Sequence, residues 1–211
     1  MNEGVLRTIS GVAVGSFLLS FIYCSDLLFC FSFIFSLGIL MAFEWANIVG
    51  NAENTRSWYL LGVIYIVASL LPILLLKFNK FKGNHLAMWM FILLWCTDTF
   101  AYLIGGVCGL GKHKINKISP SKSYEGLLGG MLFAMIFCSI FAHRYLAEYE
   151  YILIYCVPLL CCLEQAGDFT ESYIKRKFHI KDSGQMIPGH GGFMDRFDGL
   201  LYVTPALLFL I

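Results

Sequence analysis

Trp58–Leu76, WYLLGVIYIVASLLPILLL, runs for 19 residues without a charged side chain. A helix needs about 20 mostly apolar residues to cross a hydrocarbon layer of about 30 Å, and this stretch meets that condition. Working outward, similar stretches occur at Val5–Cys24, Leu27–Phe43, Leu86–Cys108, Leu127–Ala142, Tyr151–Gly167 and Leu200–Ile211. Ser25 and Asp26 alone separate the first two, which predicts a tight helical hairpin or one helix with a break. The last is short for a span. Strand-like alternation is absent, which disfavours a β-barrel. The expected fold is an all-α polytopic membrane helical bundle of about seven transmembrane helices. Residues 1–211 read as a single domain, without linker, low-complexity tract or repeat.

Composition agrees with this solvent. Of the 211 residues, 58% are hydrophobic and 14% charged, and mean hydropathy is +0.72. Soluble domains carry about 25% charged residues, so a water-soluble globule and a disordered chain are both excluded. The net charge of +1 gives no global field for nucleic acid. Arg7 is the single positive residue at the start of the first apolar stretch, and no short apolar run with a small-residue cleavage site follows it, so the stretch reads as a retained span rather than a signal peptide. With the N-terminus inside, 11 of the 15 Lys and Arg residues fall on the cytoplasmic side, as the positive-inside rule requires. The cluster Lys77, Lys80 and Lys82 is an exception. The eight cysteines show no CxxC pair and no zinc-like spacing, and read as small packing residues.

One polar stretch exceeds what a connector needs: AGDFTESYIKRKFHIKDSGQMIPGHGGFMDRFD, Ala166 to Asp198. If the preceding helix continues, Asp168 and Ser172 share a face one turn apart, with Lys175 nearby. Asp195 returns after the glycines as a second hard oxygen donor. Carboxylates among lysines and arginines suit Mg²⁺ held between protein and phosphates. The basic groups suit the phosphates themselves, and Gly189–Gly192 lets backbone amides approach an anion. A solvated loop obeying the positive-inside rule is the plain competing reading of the same spacing.

The pattern Ser172-x-x-Lys175-Arg176-x₄-Lys181-Asp182 through Pro188-Gly189-His190-Gly191-Gly192-x-x-Asp195-Arg196-x-Asp198 resembles the signature of the phosphatidate cytidylyltransferases, or CDP-diacylglycerol synthases. Gly167-Asp168 is similar to the family's preceding GD. Asp98-Thr99-x-Ala101-Tyr102, Lys112-x-Lys114 and Ser119-Pro120-x-Lys122-Ser123-x-Glu125-Gly126 resemble its upstream motifs. Ser123 departs from the usual threonine, and Gly106 stands where a basic residue is frequent. The similarity covers Asp98 to Asp198.

The resemblance implies transfer of CMP from CTP to phosphatidate, giving CDP-diacylglycerol and pyrophosphate in phospholipid biosynthesis. It implies a magnesium-dependent enzyme of the cytoplasmic (inner) membrane, with active-site loops facing the cytoplasm and the lipid bilayer as its environment. It also suggests a homodimer. Carried over residue by residue, it implies catalytic roles for Asp168, Ser172, Lys175 and Asp195, with Asp168, Asp195 and Ser172 at the metal. Candidate substrate contacts are Ser119, Lys122, Arg176, Lys181, His190, Gly191, Gly192 and Arg196. Asp182 and Asp198 are candidates for orienting those cations. Asp98 lies inside an apolar span, where an acid costs about 2.5–3.5 kcal/mol and usually faces a cavity, so it is placed beside the site. Glu164 and Glu44 carry weaker functional expectations. Gly126 and Gly130 fit close helix packing, and His113 and His143 are read as loop residues. The alternatives are another CTP-dependent lipid enzyme, such as a polyprenol kinase or an archaeal-lipid cytidylyltransferase, and a transporter suggested by Asp98 and Glu164. The transporter reading leaves the long signature unexplained.

Overall fold

The structure, a computed structural model, describes residues 15–16, 18–24, 26–50, 52, 54–79, 82–108, 113–115, 122–187 and 191–211. Helix α1 (Leu27–Val49) starts at Asp26, whose carboxylate accepts the Phe29 N–H at 2.8 Å. It is followed by α2 (Thr55–Lys77), α3 (Gly83–Tyr102) and a π-helical turn at Leu103–Val107. Then come α4 (Tyr124–Tyr145), α5 (Glu150–Lys177), the short α6 (Met194–Phe197) and α7 (Leu200–Leu210). Among the described residues there is no β-strand, only isolated bridges at Lys114–Ser123 and Ile187–Gly191.

Among the described residues, five helices are long and apolar enough to cross a membrane: α1, α2, α3 with its π turn, α4 and α5. The sequence expectation was about seven. Its first candidate, Val5–Cys24, falls largely outside the described residues, with helix at 18–23. Its last, α7, has 11 residues, about 16 Å of helix against a hydrocarbon layer of about 30 Å.

Burial shows why this is a membrane bundle. On α1, Cys30, Phe33, Leu37, Met41 and Ile48 are buried at helical spacing, while Phe31, Phe35, Ile39 and Phe43 form an exposed stripe. Both faces are apolar, as lipid rather than water allows. Helices α3 and α4 make the most extensive helix contact. Gly130 is required there, because a Cβ on it would stand 2.5 Å from the Thr97 carbonyl oxygen. The packing reading of Gly126-x-x-x-Gly130 is therefore correct.

Lys77 and Lys82 of the basic cluster have structural partners, while Lys80 lies outside the described residues. Lys77, 4% exposed, donates to the Ile22 carbonyl at 2.7 Å and to Asn84 Oδ1 at 3.0 Å. Lys82 donates to the Tyr145 carbonyl at 2.8 Å. Both lysines satisfy carbonyls near helix ends, which would otherwise be orphaned in an apolar medium. Lys77→Met should leave the Ile22 carbonyl buried and unpaired, at a cost of about 1–3 kcal/mol. Thermal unfolding in detergent measures this loss.

Helix α5 continues without interruption from its apolar first half into the polar motif. It delivers the first 12 of that motif's 33 residues, Ala166–Lys177, on a rigid element.

Candidate active site

The site is built around the polar end of α5. Ser172 Oγ donates to Asp168 Oδ1 at 3.1 Å, so the two share one face as expected. One turn on, Lys175 Nζ donates to Glu171 Oε2 at 2.9 Å and to Asp195 Oδ1 at 2.6 Å. Asp168 Oδ2 forms an ion pair with Lys122, whose ammonium also donates to Gln165 Oε1 at 2.7 Å. Lys122 sits just before Ser123, the N-cap of α4, whose hydroxyl accepts the Gly126 N–H at 3.2 Å. The Ile115 N–H donates to the Lys122 carbonyl, and the Tyr124 N–H to the His113 carbonyl, fixing this entry to α4.

The chain then returns to α5 through the glycine-bearing loop. Gly191 has φ +84°, and a Cβ on it would stand 2.7 Å from Asp195 Oδ2. Only glycine meets both conditions without strain. Asp195 Oδ2 accepts the N–H groups of Gly192 at 2.9 Å and Ser183 at 3.0 Å. Burial pushes the Asp195 carboxyl up, but these two amides, together with the Lys175 ammonium, outweigh it and hold it below its ordinary value. Asp198 behaves oppositely. Enclosure by protein, then the negative charges of Asp168, Glu171 and Asp98, push it well above the usual range against one hydrogen bond from the Gly199 N–H.

These groups open onto a cavity of about 1210 Å³. Its walls carry the acids Asp98, Asp168, Asp182, Asp195 and Asp198, and the cations Lys122, Lys175, Lys181 and Arg196, with Gly191. Ser172 and Gly192 stand behind the wall, bonded to Asp168 and Asp195. Arg176 points elsewhere, and its Nη1 donates to the Ile180 carbonyl at 2.8 Å just past the end of α5. Ser119 and His190 lie outside the described residues. His113 and His143 pair with Glu125 and Glu150, and both histidines are exposed.

Three participants were not singled out from sequence, or only weakly. Glu171, 1% exposed, has the i, i+4 spacing to Lys175 that marks a helical ion pair, a signal that was present. Gln165 orients Lys122 and carried no such signal. Glu44, isolated in apolar α1, accepts hydrogen bonds from Ser183, Phe193 and Met194.

The donor chemistry of the cavity fits a hard divalent cation. Mg²⁺ is usually bound by one or two carboxylates completed by substrate phosphates rather than by an all-protein cage. Asp168 and Asp195 offer that pair. Among the described residues no three acidic, histidine or cysteine side chains converge as a ready-made cage, and the ammonium groups of Lys122 and Lys175 stand on the two carboxylates.

Residues 52–211 match the sequence profile of the cytidylyltransferase family. Over 217 aligned residues the chain is 34% identical to a phosphatidate cytidylyltransferase of Rickettsia felis, covering 97% of this chain and 91% of the relative. Identity is 36% to the protein of that name from Rickettsia prowazekii, over 95% of this chain and 89% of the relative. A Staphylococcus aureus phosphatidate cytidylyltransferase is 41% identical over 140 residues, which cover 63% of this chain and 51% of that protein. With the family profile spanning most of its length, and two relatives aligned over about nine-tenths of theirs, the chain belongs to the cytidylyltransferase family.

Proposed function

We propose that this protein transfers CMP from CTP to phosphatidate at the cytoplasmic face of a bacterial inner membrane. The observation that carries the reading is the 1210 Å³ cavity at the polar end of a membrane helix, where four cations face five carboxylates. A phosphate oxygen of the lipid forms a bond to the α-phosphorus of CTP as the bond to the β-phosphate oxygen breaks, and pyrophosphate leaves. The nucleophile is already an anion, so the main obstacle is bringing polyanions together in line. Lys122, Lys175, Lys181 and Arg196 supply positive charge at the walls to hold the phosphates. Asp168 and Asp195 would hold Mg²⁺, with Ser172 fixing Asp168 through its hydroxyl. When bound, that ion neutralises phosphate charge and stabilises the leaving group.

The cytoplasmic orientation is supported by the 11 basic residues assigned to that side. We also propose one catalytic domain, a further span supplied by the N-terminal segment, and a homodimer.

The test is a pyrophosphate-release assay on purified protein with labelled CTP and a panel of lipid acceptors. Label should enter lipid only with phosphatidate and a divalent cation, with one pyrophosphate per product. Release of CDP instead would mean phosphoryl transfer to another acceptor and would overturn the reading.

A further inference from the structure

We propose that Glu44 is a positioning residue for Asp195, holding the glycine-bearing loop from outside so that the Asp195 carboxylate meets Lys175 and the cavity. This rests on the reading of Asp195 as part of the transfer site. Glu44 precedes the residues that match the family profile, and it is 1% exposed in an otherwise apolar helix. A carboxylate buried there is costly unless its lone pairs are filled. All of its partners come from the loop, about 140 residues away in sequence. Oε1 accepts the Phe193 N–H at 2.9 Å, and Oε2 accepts the Met194 N–H at 2.9 Å and the Ser183 hydroxyl at 3.1 Å.

The same segments hold Asp195 from the other side. Ser183 gives its hydroxyl to Glu44 and its N–H to Asp195. Gly192 gives its N–H to Asp195, and a Cβ on it would stand 2.6 Å from both Glu44 oxygens. A Cβ on Gly184 would stand 2.7 Å from Glu44 Oε1, so the loop closes tightly over this carboxylate. Two carboxylates thus pinch one pair of backbone segments, Glu44 behind and Asp195 in front. The amides that orient Asp195 keep their places only while Glu44 accepts three donors. Glutamine has one acceptor oxygen and would set an NH₂ group against a donor.

The experiment uses the full chain in detergent, comparing wild type, Glu44→Gln, the milder Ser183→Ala, and the exposed Glu148→Gln as control. Amide hydrogen exchange is read without nucleotide or metal, and Mg²⁺ activation of CMP transfer is read separately. For Glu44→Gln, exchange over residues 182–187 and 191–197 should rise about tenfold while α2 to α5 and the thermal midpoint stay near wild type. The Mg²⁺ concentration for half-maximal activity should rise about tenfold, the size typical of losing a group that orients a metal ligand. Ser183→Ala should shift both readouts in the same direction by less, and Glu148→Gln neither. Wild-type exchange and Mg²⁺ dependence in Glu44→Gln would overturn the proposal. So would uniform acceleration across all helices with a lowered midpoint, which would mark a general structural role. If Ser183→Ala behaves like the control when Glu44→Gln fails to fold, the proposal also falls. Local loosening in a wild-type background that transfers no CMP would support the loop clamp and overturn the proposed reaction instead.

Discussion

Asp195→Asn is expected to lower CMP transfer by about a thousandfold while the protein remains folded, a loss at the upper end for removing one preorganised electrostatic group. Both Asp195 oxygens are acceptors, Oδ1 for Lys175 and Oδ2 for the Ser183 and Gly192 amides. Asparagine preserves volume but turns one oxygen into a donor, which then faces an ammonium or two amides. The negative charge available to a cation beside the phosphates is lost as well. Asp168→Asn should cause a comparable loss, since it removes the partner of Lys122 and the second carboxylate of the pair. Lipid-linked label from CTP measures both losses, and an unchanged elution profile and thermal midpoint show that folding is retained. Normal turnover in both variants would sink the assignment of these carboxylates.

Lys175→Met should be the most destabilising substitution in the site. Lys175 lies between Glu171 and Asp195, and Glu171 is 1% exposed with Oε1 already lacking a hydrogen-bond partner. Removing the ammonium leaves a buried carboxylate uncompensated, at a cost of about 3–5 kcal/mol. Lys175→Met combined with Glu171→Gln removes the charge as well as its partner, and should recover much of the thermal midpoint. Transfer should stay at least about a hundredfold down in both, because the cation facing the phosphates is missing. Recovery of activity along with stability would show that Lys175 acts only through the fold.

What could be read from the chain depended on whether a signal was local. The apolar stretches gave the helices, and the spacing of Asp168 and Ser172 gave a pair that does meet on α5. The glycine pattern pointed to a positive φ, which Gly191 has, and to amides approaching an anion; the carboxylate those glycines meet is the chain's own Asp195. Glu171 was visible through its spacing to Lys175 but was overshadowed by its neighbours. Glu44 was not readable as a loop anchor, because its partners lie about 140 residues away and its own surroundings are those of any membrane helix. The lysines at 77–82 looked misplaced by a charge count, since charge bias describes insertion and says nothing of a carbonyl waiting at the end of a neighbouring helix. The π turn after α3 depends on packing that composition does not record, whereas the brevity of α7 was already legible in the short apolar stretch Leu200–Ile211.

Helix α5 is a single piece of 28 residues, about 42 Å at 1.5 Å per residue, against a hydrocarbon layer of about 30 Å. Asp168 lies about 27 Å along it from Glu150. A helix entering at one boundary and crossing near the normal therefore carries Asp168 to within about 3 Å of the opposite boundary, just beneath the layer of the lipid phosphate groups. The last turn, with Arg176 and Lys177 exposed, reaches beyond into water. The helix works as a depth gauge: one rigid rod sets the Asp168 carboxylate close beneath the level at which a phospholipid already keeps its own phosphate. A lipid acceptor needs only lateral diffusion to arrive, with its acyl chains still dissolved, while the nucleotide comes down to it from the aqueous side.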